Sequence, residues 1–371
     1  MIPVYEPVVD EEDVEAVAAA VRAGEISGSF GENLPAFERE FADYVGAAHG
    51  VAVSSGTTAL ELAVSALGLE PGSEILVSAC TNIATALCVY RNGCVPVPVD
   101  SEAVTWNLDL DLLESLVTER TRAVIPVHLF GHPVDMDRLL EIADRHGLAV
   151  IEDCAEAHGA AVRGRRVGSF GHLACFSFYA NKVITTGEGG MVVTQDPALA
   201  ERLRLLRNLA FQTPRFYHEQ PGYNFRLTGM QAALGRAQLR KIDRILERKR
   251  LVAETYDELL EDVEGIRRPV ELPWARNVYW MYAIEVEDGF GLSRDELARQ
   301  LAERGVESRT FFCPMNLQPF LRSQPGFRDV PCPVAEGLWA RGCYLPSSPT
   351  LTRAEIESVV ATICALRPVA V

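Results

Sequence analysis

The chain has no CxxC pair among its nine cysteines, and their number is odd. That spacing excludes a zinc ribbon and a disulfide framework. Most of the cysteines lie in apolar strings such as ALCVY and LACFSFY, the setting of reduced, buried thiols in a cytoplasmic protein. Neither GxxxxGK[ST] nor GxGxxG occurs, so the fingerprints of the P-loop and dinucleotide folds are missing. No run approaches the length of a membrane span, and the N-terminus, MIPVYEPVVDEEDVEAV, is acidic and lacks the apolar core of a signal peptide. Positive charge is scarce as well. Lys and Arg number 35 against 51 Asp and Glu, for a net charge of −16. This balance disfavours nucleic acid or an anionic membrane as the main partner. It leaves room for a small anionic ligand, held by helix N-termini and a few well-placed cations.

What is present reads as globular. Of 371 residues, 48% are hydrophobic and 23% charged, with no repeat and no low-complexity segment. The length exceeds one ordinary domain and predicts a large domain with a smaller companion. Residues 10–23 and 34–45 read as helices. Then strands and helices alternate: GVAVSS, EILVSA, VPVPVD, RAVIPVHL, LAVIED, LACFSFY and GGMVVTQ are strands, and TTALELAVSALGL and MDRLLEIADRHG are helices. The strands are apolar throughout, which predicts a largely parallel sheet covered on both faces. Residues 228–262 read as one long, bent helix. The remainder, with a strand at YWMYAIEVE, a helix at SRDELARQLAERG and a final helix N-capped by Thr352 with Glu355 three residues on, reads as α+β. The expected division is 1–244 and 245–371.

Three strings carry chemistry. SSGTTAL (54–60) lies at a strand-to-helix junction. Gly56 permits close approach of a ligand, and the amides of Thr57 and Thr58 should point from the helix N-terminus at an anion. Capping of the helix by Ser55 or Thr57 is the competing role. LAVIEDCAEAHGA ends an apolar strand in Glu152 and Asp153, where α/β sheets bind ligands. A carboxylate there can keep a heteroaromatic nitrogen protonated or simply cap the next helix. ACFSFYANKVITTGEGG delivers Ser177, Asn181 and Lys182 from an apolar strand into a glycine-rich stretch. Desolvation there favours the free amine that a Schiff base requires. A phosphate site, an acid for a ring nitrogen and an amine are the three handles of pyridoxal 5'-phosphate.

Together GTTAL, EDCAEAHGA, SFYANKVITTGEGG and GYNFRLT resemble the DegT/DnrJ/EryC1/StrS group of sugar aminotransferases, of fold type I, and the likeness extends over nearly the whole chain. The lysine string is similar to that of the group's GDP-perosamine synthases. The resemblance implies that Lys182 binds the cofactor and carries the proton, and that Asp153 pairs with the pyridine nitrogen. It places Glu156 beside the ring hydroxyl, and Thr57, Thr58 and Ser177 at the cofactor phosphate. Asn224 would reach the phosphate site of a neighbouring subunit, with Arg226 close by, making the active site a product of a homodimer. Glutamate would donate the amine and a nucleotide-linked keto-6-deoxyhexose, 3- or 4-keto and GDP- or dTDP-linked, would accept it. Lysine at 182 rather than histidine argues against the sugar 3-dehydratase branch.

The chain departs from the group at three positions. Asn82 stands where an aromatic commonly stacks on the cofactor ring, and Cys313 and Asn316 replace the histidines of an HPMH string near the sugar nucleotide. These leave open a keto-cyclitol acceptor and, in another class, a non-catalytic regulatory protein of the same fold. No metal is expected. His128, His132 and His158 read as satisfied structural histidines, although His158 could lie near the cofactor. Trp106 reads as packing, ERKR at 247–250 as a solvated helix face, and Arg309 as either a salt bridge or a contact for a substrate anion.

Overall fold

The computed structural model describes residues 1–367. The seven apolar runs form one sheet: β1 (His49–Val53), β2 (Glu74–Ser78), β3 (Val95–Val99), β4 (Thr121–Ile125), β5 (Ala149–Asp153), β6 (Leu173–Ser177) and β7 (Gly190–Thr194). Their order is β1-β7-β6-β5-β4-β2-β3. Neighbours from β6 to β3 are parallel, whereas β7 runs antiparallel to both β6 and β1. Alternate residues of one strand enter two separate cores. Ala52 and Leu76 join one, and Val51, Val53, Ile75 and Val77 join the other. Both faces are therefore covered, as strands without polar alternation require.

The N-terminal helices α1 (Glu11–Arg22) and α2 (Asn33–Val45) precede the sheet. Helices α3 (Gly56–Leu67), α4 (Ala84–Arg91), α5 (Met136–His146) and α6 (Pro197–Arg207) flank its strands in sequence. The single helix expected over 228–262 is instead two, α7 (Gly229–Arg240) and α8 (Ile242–Leu260). Lys241 leaves helical geometry between them (φ −111°, ψ 8°), with its buried Nζ 2.8 Å from Asp10 and also bonded to Asp13. The break lets α7 pack on α1 and α2 while α8 turns toward a second core.

That core lies against an antiparallel sheet of β8 (Ile266–Arg267), β9 (Tyr282–Val286), β10 (Arg309–Thr310) and β11 (Gly342–Leu345), in the order β8-β9-β11-β10. Helices α8, α9 (Arg294–Glu303) and α11 (Arg353–Leu366) cover it, and α10 (Pro333–Arg341) leads into β11. The division expected at 244/245 falls in the first turn of α8. The ERKR string is a solvated face only in part: Glu247 and Arg248 are exposed, whereas Arg250 is half-buried and Lys249 is buried. Lys249 is only 1% exposed, donating to the Ser347 carbonyl at 2.7 Å, because this side of α8 is the side that packs on the second sheet. No helix among the described residues is long and apolar enough to cross a membrane.

Candidate active site

The carboxyl ends of β5 and β6 and the N-terminus of α3 open on one cavity of about 280 Å³. Gly56, Thr57, Asn82, Asp153, Glu156, Ser177 and Lys182 all line it.

Ser55 is extended (φ −165°) and N-caps α3, its Oγ accepting from the Thr58 amide at 3.1 Å. Thr58 Oγ1 accepts in return from the Ser55 amide at 3.0 Å. This capping box engages both the amide and the hydroxyl of Thr58, which does not line the cavity. Gly56 and Thr57, which line the cavity, keep their amides free of protein acceptors among the described residues. A Cβ on Gly56 would sit 2.6 Å from Ser177 Cβ. Glycine is therefore what lets the tip of α3 abut the end of β6 and complete a cradle.

Asp153 ends β5 in a fully desolvated position. Its Oδ1 accepts from the Ala155 amide at 3.1 Å and its Oδ2 from Thr85 Oγ1 at 2.9 Å. Burial still pushes its pKa above the usual carboxylate range, against the opposing pull of those bonds and of Lys182. A cationic partner would relieve this. Glu156 accepts from the Phe130 amide at 2.9 Å, and burial raises its carboxyl to about 7.

Lys182 closes a turn after β6, its amide donating to the Tyr179 carbonyl at 2.9 Å. Its Nζ lies 3.9 Å from the centroid of the Trp280 ring. Burial lowers the pKa of the amine, and the nearby Glu156 and Asp153 carboxylates oppose the shift. A desolvated amine, a buried acid short of a cation and an anion cradle thus converge on one space. They fit pyridoxal phosphate handle by handle.

The profile of the DegT/DnrJ/EryC1/StrS aminotransferase family matches residues 7–364. The chain belongs to that family. Among its relatives, a GDP-perosamine synthase of Caulobacter vibrioides is 42% identical over 337 residues, 90% of each chain. A dTDP-3-amino-3,4,6-trideoxy-alpha-D-glucose transaminase of Streptomyces venezuelae is 41% identical over 358 residues, 96% of this chain and 92% of that one. The crystal structure of S. venezuelae DesV in complex with a ketimine intermediate superposes with a TM-score of 0.89 at 40% identity, covering 97% of this chain and 95% of that one. The chain is thus a pyridoxal-phosphate-dependent aminotransferase of the α/β fold that its sequence predicts.

Several anticipated residues of this aminotransferase lie off the cavity. Asn224 is exposed, on a segment that pairs with Asn208, and Arg226 donates to Asn208 Oδ1 at 2.8 Å. Neither lines the cavity of its own chain. Asn316 is buried, its Nδ2 bonded to Glu336 Oε1 at 2.7 Å, and Cys313 also misses the wall. The same segment presents Phe312 to the cavity instead. Asn82 is at the wall, but its Oδ1 accepts from the Ala84 amide at 3.0 Å, so its amide organises the start of α4.

Trp280, Thr85 and Tyr344 carried no site signal in the sequence. Trp280 looked only like a strand residue, yet it and Tyr344 line the cavity, and Thr85 bonds Asp153. Among the described residues, His128, Glu152 and Cys154 could bring metal-ligand atoms together. The ligand atoms of Glu152 and His128 are already engaged. Glu152 accepts from the amides of Gly168, Phe170 and Gly171 and pairs with His128 Nε2 at 3.2 Å, while His128 Nδ1 accepts from the Val134 amide. His158 is not the satisfied histidine that the sequence suggests: among the described residues neither ring nitrogen has a hydrogen-bond partner inside a box of Phe41, Phe176 and Phe178, and burial lowers its pKa to about 3. Arg309 pairs with Glu307 at 2.7 Å.

Proposed function

We propose that this aminotransferase moves an amino group from glutamate to the keto carbon of a nucleotide-linked keto-6-deoxyhexose. The observation that carries the reading is the convergence of Lys182, Asp153 and the Gly56–Thr57–Ser177 cradle on one cavity. When bound, pyridoxal phosphate supplies an electron sink for the carbon that bears the amine. Lys182 would anchor the cofactor and, once released from it, move a proton at the reacting carbon. Its burial favours the neutral amine that can accept that proton. Asp153 would hold the pyridine nitrogen protonated, fixed in orientation by Thr85. Glu156 would face the ring hydroxyl, and the free amides of Gly56 and Thr57 with the Ser177 hydroxyl would hold the phosphate.

The two named relatives differ in nucleotide, GDP in one and dTDP in the other. The reading therefore extends to both carriers and to 3-keto and 4-keto sugars. Asn224 and the exposed Phe216 and Tyr217, on a segment beyond the chain's own cavity, support a homodimer in which one subunit completes the other's site.

The test uses the purified protein with added pyridoxal phosphate. It should turn yellow, and borohydride should fix the label on Lys182, one of only three lysines in the chain. Glutamate should then bleach the colour, and a GDP- or dTDP-linked keto sugar should restore it. A label on another residue, or colour restored by a keto-cyclitol but by no nucleotide sugar, overturns the proposal.

A further inference from the structure

Residues 2–8 form a strap between the second sheet and the turn that carries Lys182. The Ile2 amide donates to the Gly305 carbonyl at 2.7 Å, and the Glu307 amide to the Ile2 carbonyl at 3.0 Å. The Val4 amide donates to Glu307 Oε2 at 2.9 Å, and the Ser347 amide to the Val4 carbonyl at 2.8 Å. The Glu6 amide donates to Ser348 Oγ at 2.6 Å. Residues 2, 4 and 6 are thus tied to the C-terminal part of the chain. Between Val4 and Glu6 stands Tyr5, whose hydroxyl donates to the carbonyl oxygen of Lys182 at 2.8 Å. Beside its ring, 5.1 Å from the centroid, lies Nζ of the buried Lys249, which itself donates to Ser347.

The next carbonyl back is held in the same manner. Trp280 Nε1 donates to the Asn181 oxygen at 2.7 Å, with the Trp280 ring under Lys182 Nζ. The turn at 179–182 lies outside any helix or strand, so no ladder bond fixes these two carbonyls. Among the described residues, Tyr5 is the sole donor to the Lys182 oxygen.

We propose that Tyr5 is a positioning residue for amine transfer. The strap fixes the Lys182 backbone against the C-terminal part of the chain, so that the four-carbon side chain is the only part that moves between its two tasks. This rests on the reading of Lys182 as the cofactor lysine. A reacting group displaced by about 1 Å loses up to roughly 10²-fold in rate.

Tyr5→Phe keeps the ring and its place against Lys249 and deletes only the hydroxyl. On the cofactor-loaded enzyme, the single-turnover rate constant with glutamate should fall about tenfold, within that bound, with KM for glutamate nearly unchanged. The pH midpoint of the visible absorption band should shift, and amide hydrogen exchange over residues 179–184 should quicken. Glu307→Ala loosens the strap at its far end and should give a smaller change of the same sign. A Tyr5→Phe enzyme with wild-type rate constant and midpoint overturns the strap, whatever its melting temperature. A wild-type protein that forms no lysine-bound chromophore removes the premise, and with it the proposal, before any variant is compared.

Discussion

At the residue scale the site is a set of charges kept out of water. The Lys182 amine is lowered by burial, while the carboxyls of Asp153 and Glu156 are raised by it. Each group is poised toward its neutral form, and a cationic heteroaromatic ring is the partner that resets the balance. Lys182→Ala should lower the single-turnover rate with glutamate by about 10²–10⁴-fold, the usual worth of a positioned acid–base group. The cradle should still bind the cofactor, now dialysable, and absorbance after gel filtration separates the two effects. Glu156 yields a prediction for the cofactor-free protein. Folding raises its pKa from 4.5 to about 7, so the folded state binds the proton more tightly. Its stabilising contribution is complete below pH 4.5 and is lost as pH rises through about 7. Glu156→Gln should flatten that decline, as measured by denaturant midpoints across pH 4.5–7.5.

At the scale of elements, the same motif serves two purposes. Capping boxes start both α3, at Ser55 and Thr58, and α11, at Thr352 and Glu355. Thr352→Ala should cost about 1 kcal/mol in unfolding free energy and leave turnover untouched. Ser55→Ala should cost a similar amount and also weaken cofactor binding, because Ser55 lines the cavity. Thermal melts with and without pyridoxal phosphate distinguish them: the ligand-induced shift shrinks only in the second. The box at Thr352 was legible because its two members lie within four residues, whereas at α3 only a cap by Ser55 or Thr57 was weighed and the part of Thr58 in it was not. The strands were legible because burial on both faces leaves an unbroken apolar run. The break at Lys241 was not, since the acids that hold it, Asp10 and Asp13, lie more than two hundred residues away in the chain. Distance in sequence also hid Trp280 and Tyr5, whose polar atoms meet the lysine turn only after the second sheet has docked. For Cys313 and Asn316 the segment was anticipated and the facing was not. Position in a motif does not determine which side of an irregular loop meets the cavity, and here Phe312 does.

At the scale of the whole molecule, a net charge of −16 coexists with a site that fits an anionic cofactor and, on the proposed reading, takes an anionic substrate. Local donors must overcome the global field, and at the cradle they are helix-terminal amides and a hydroxyl rather than lysines. The chain has only three lysines, and Lys241 and Lys249 are spent inside the fold. Recruiting a further donor from a second subunit is consistent with that economy, and on the proposed reading Asn224 would provide it. Sharing of this kind predicts complementation. Lys182→Ala and Asn224→Ala homodimers each lack one component of every site. A hybrid of the two pairs the intact Lys182 of one subunit with the intact Asn224 of the other, restoring one of its two sites. Co-expressed and separated by distinct tags, the hybrid should regain turnover well above either parent. If Asn224 instead acted within its own chain, each site of the hybrid would carry one lesion, and its activity would stay at or below the mean of the two parents.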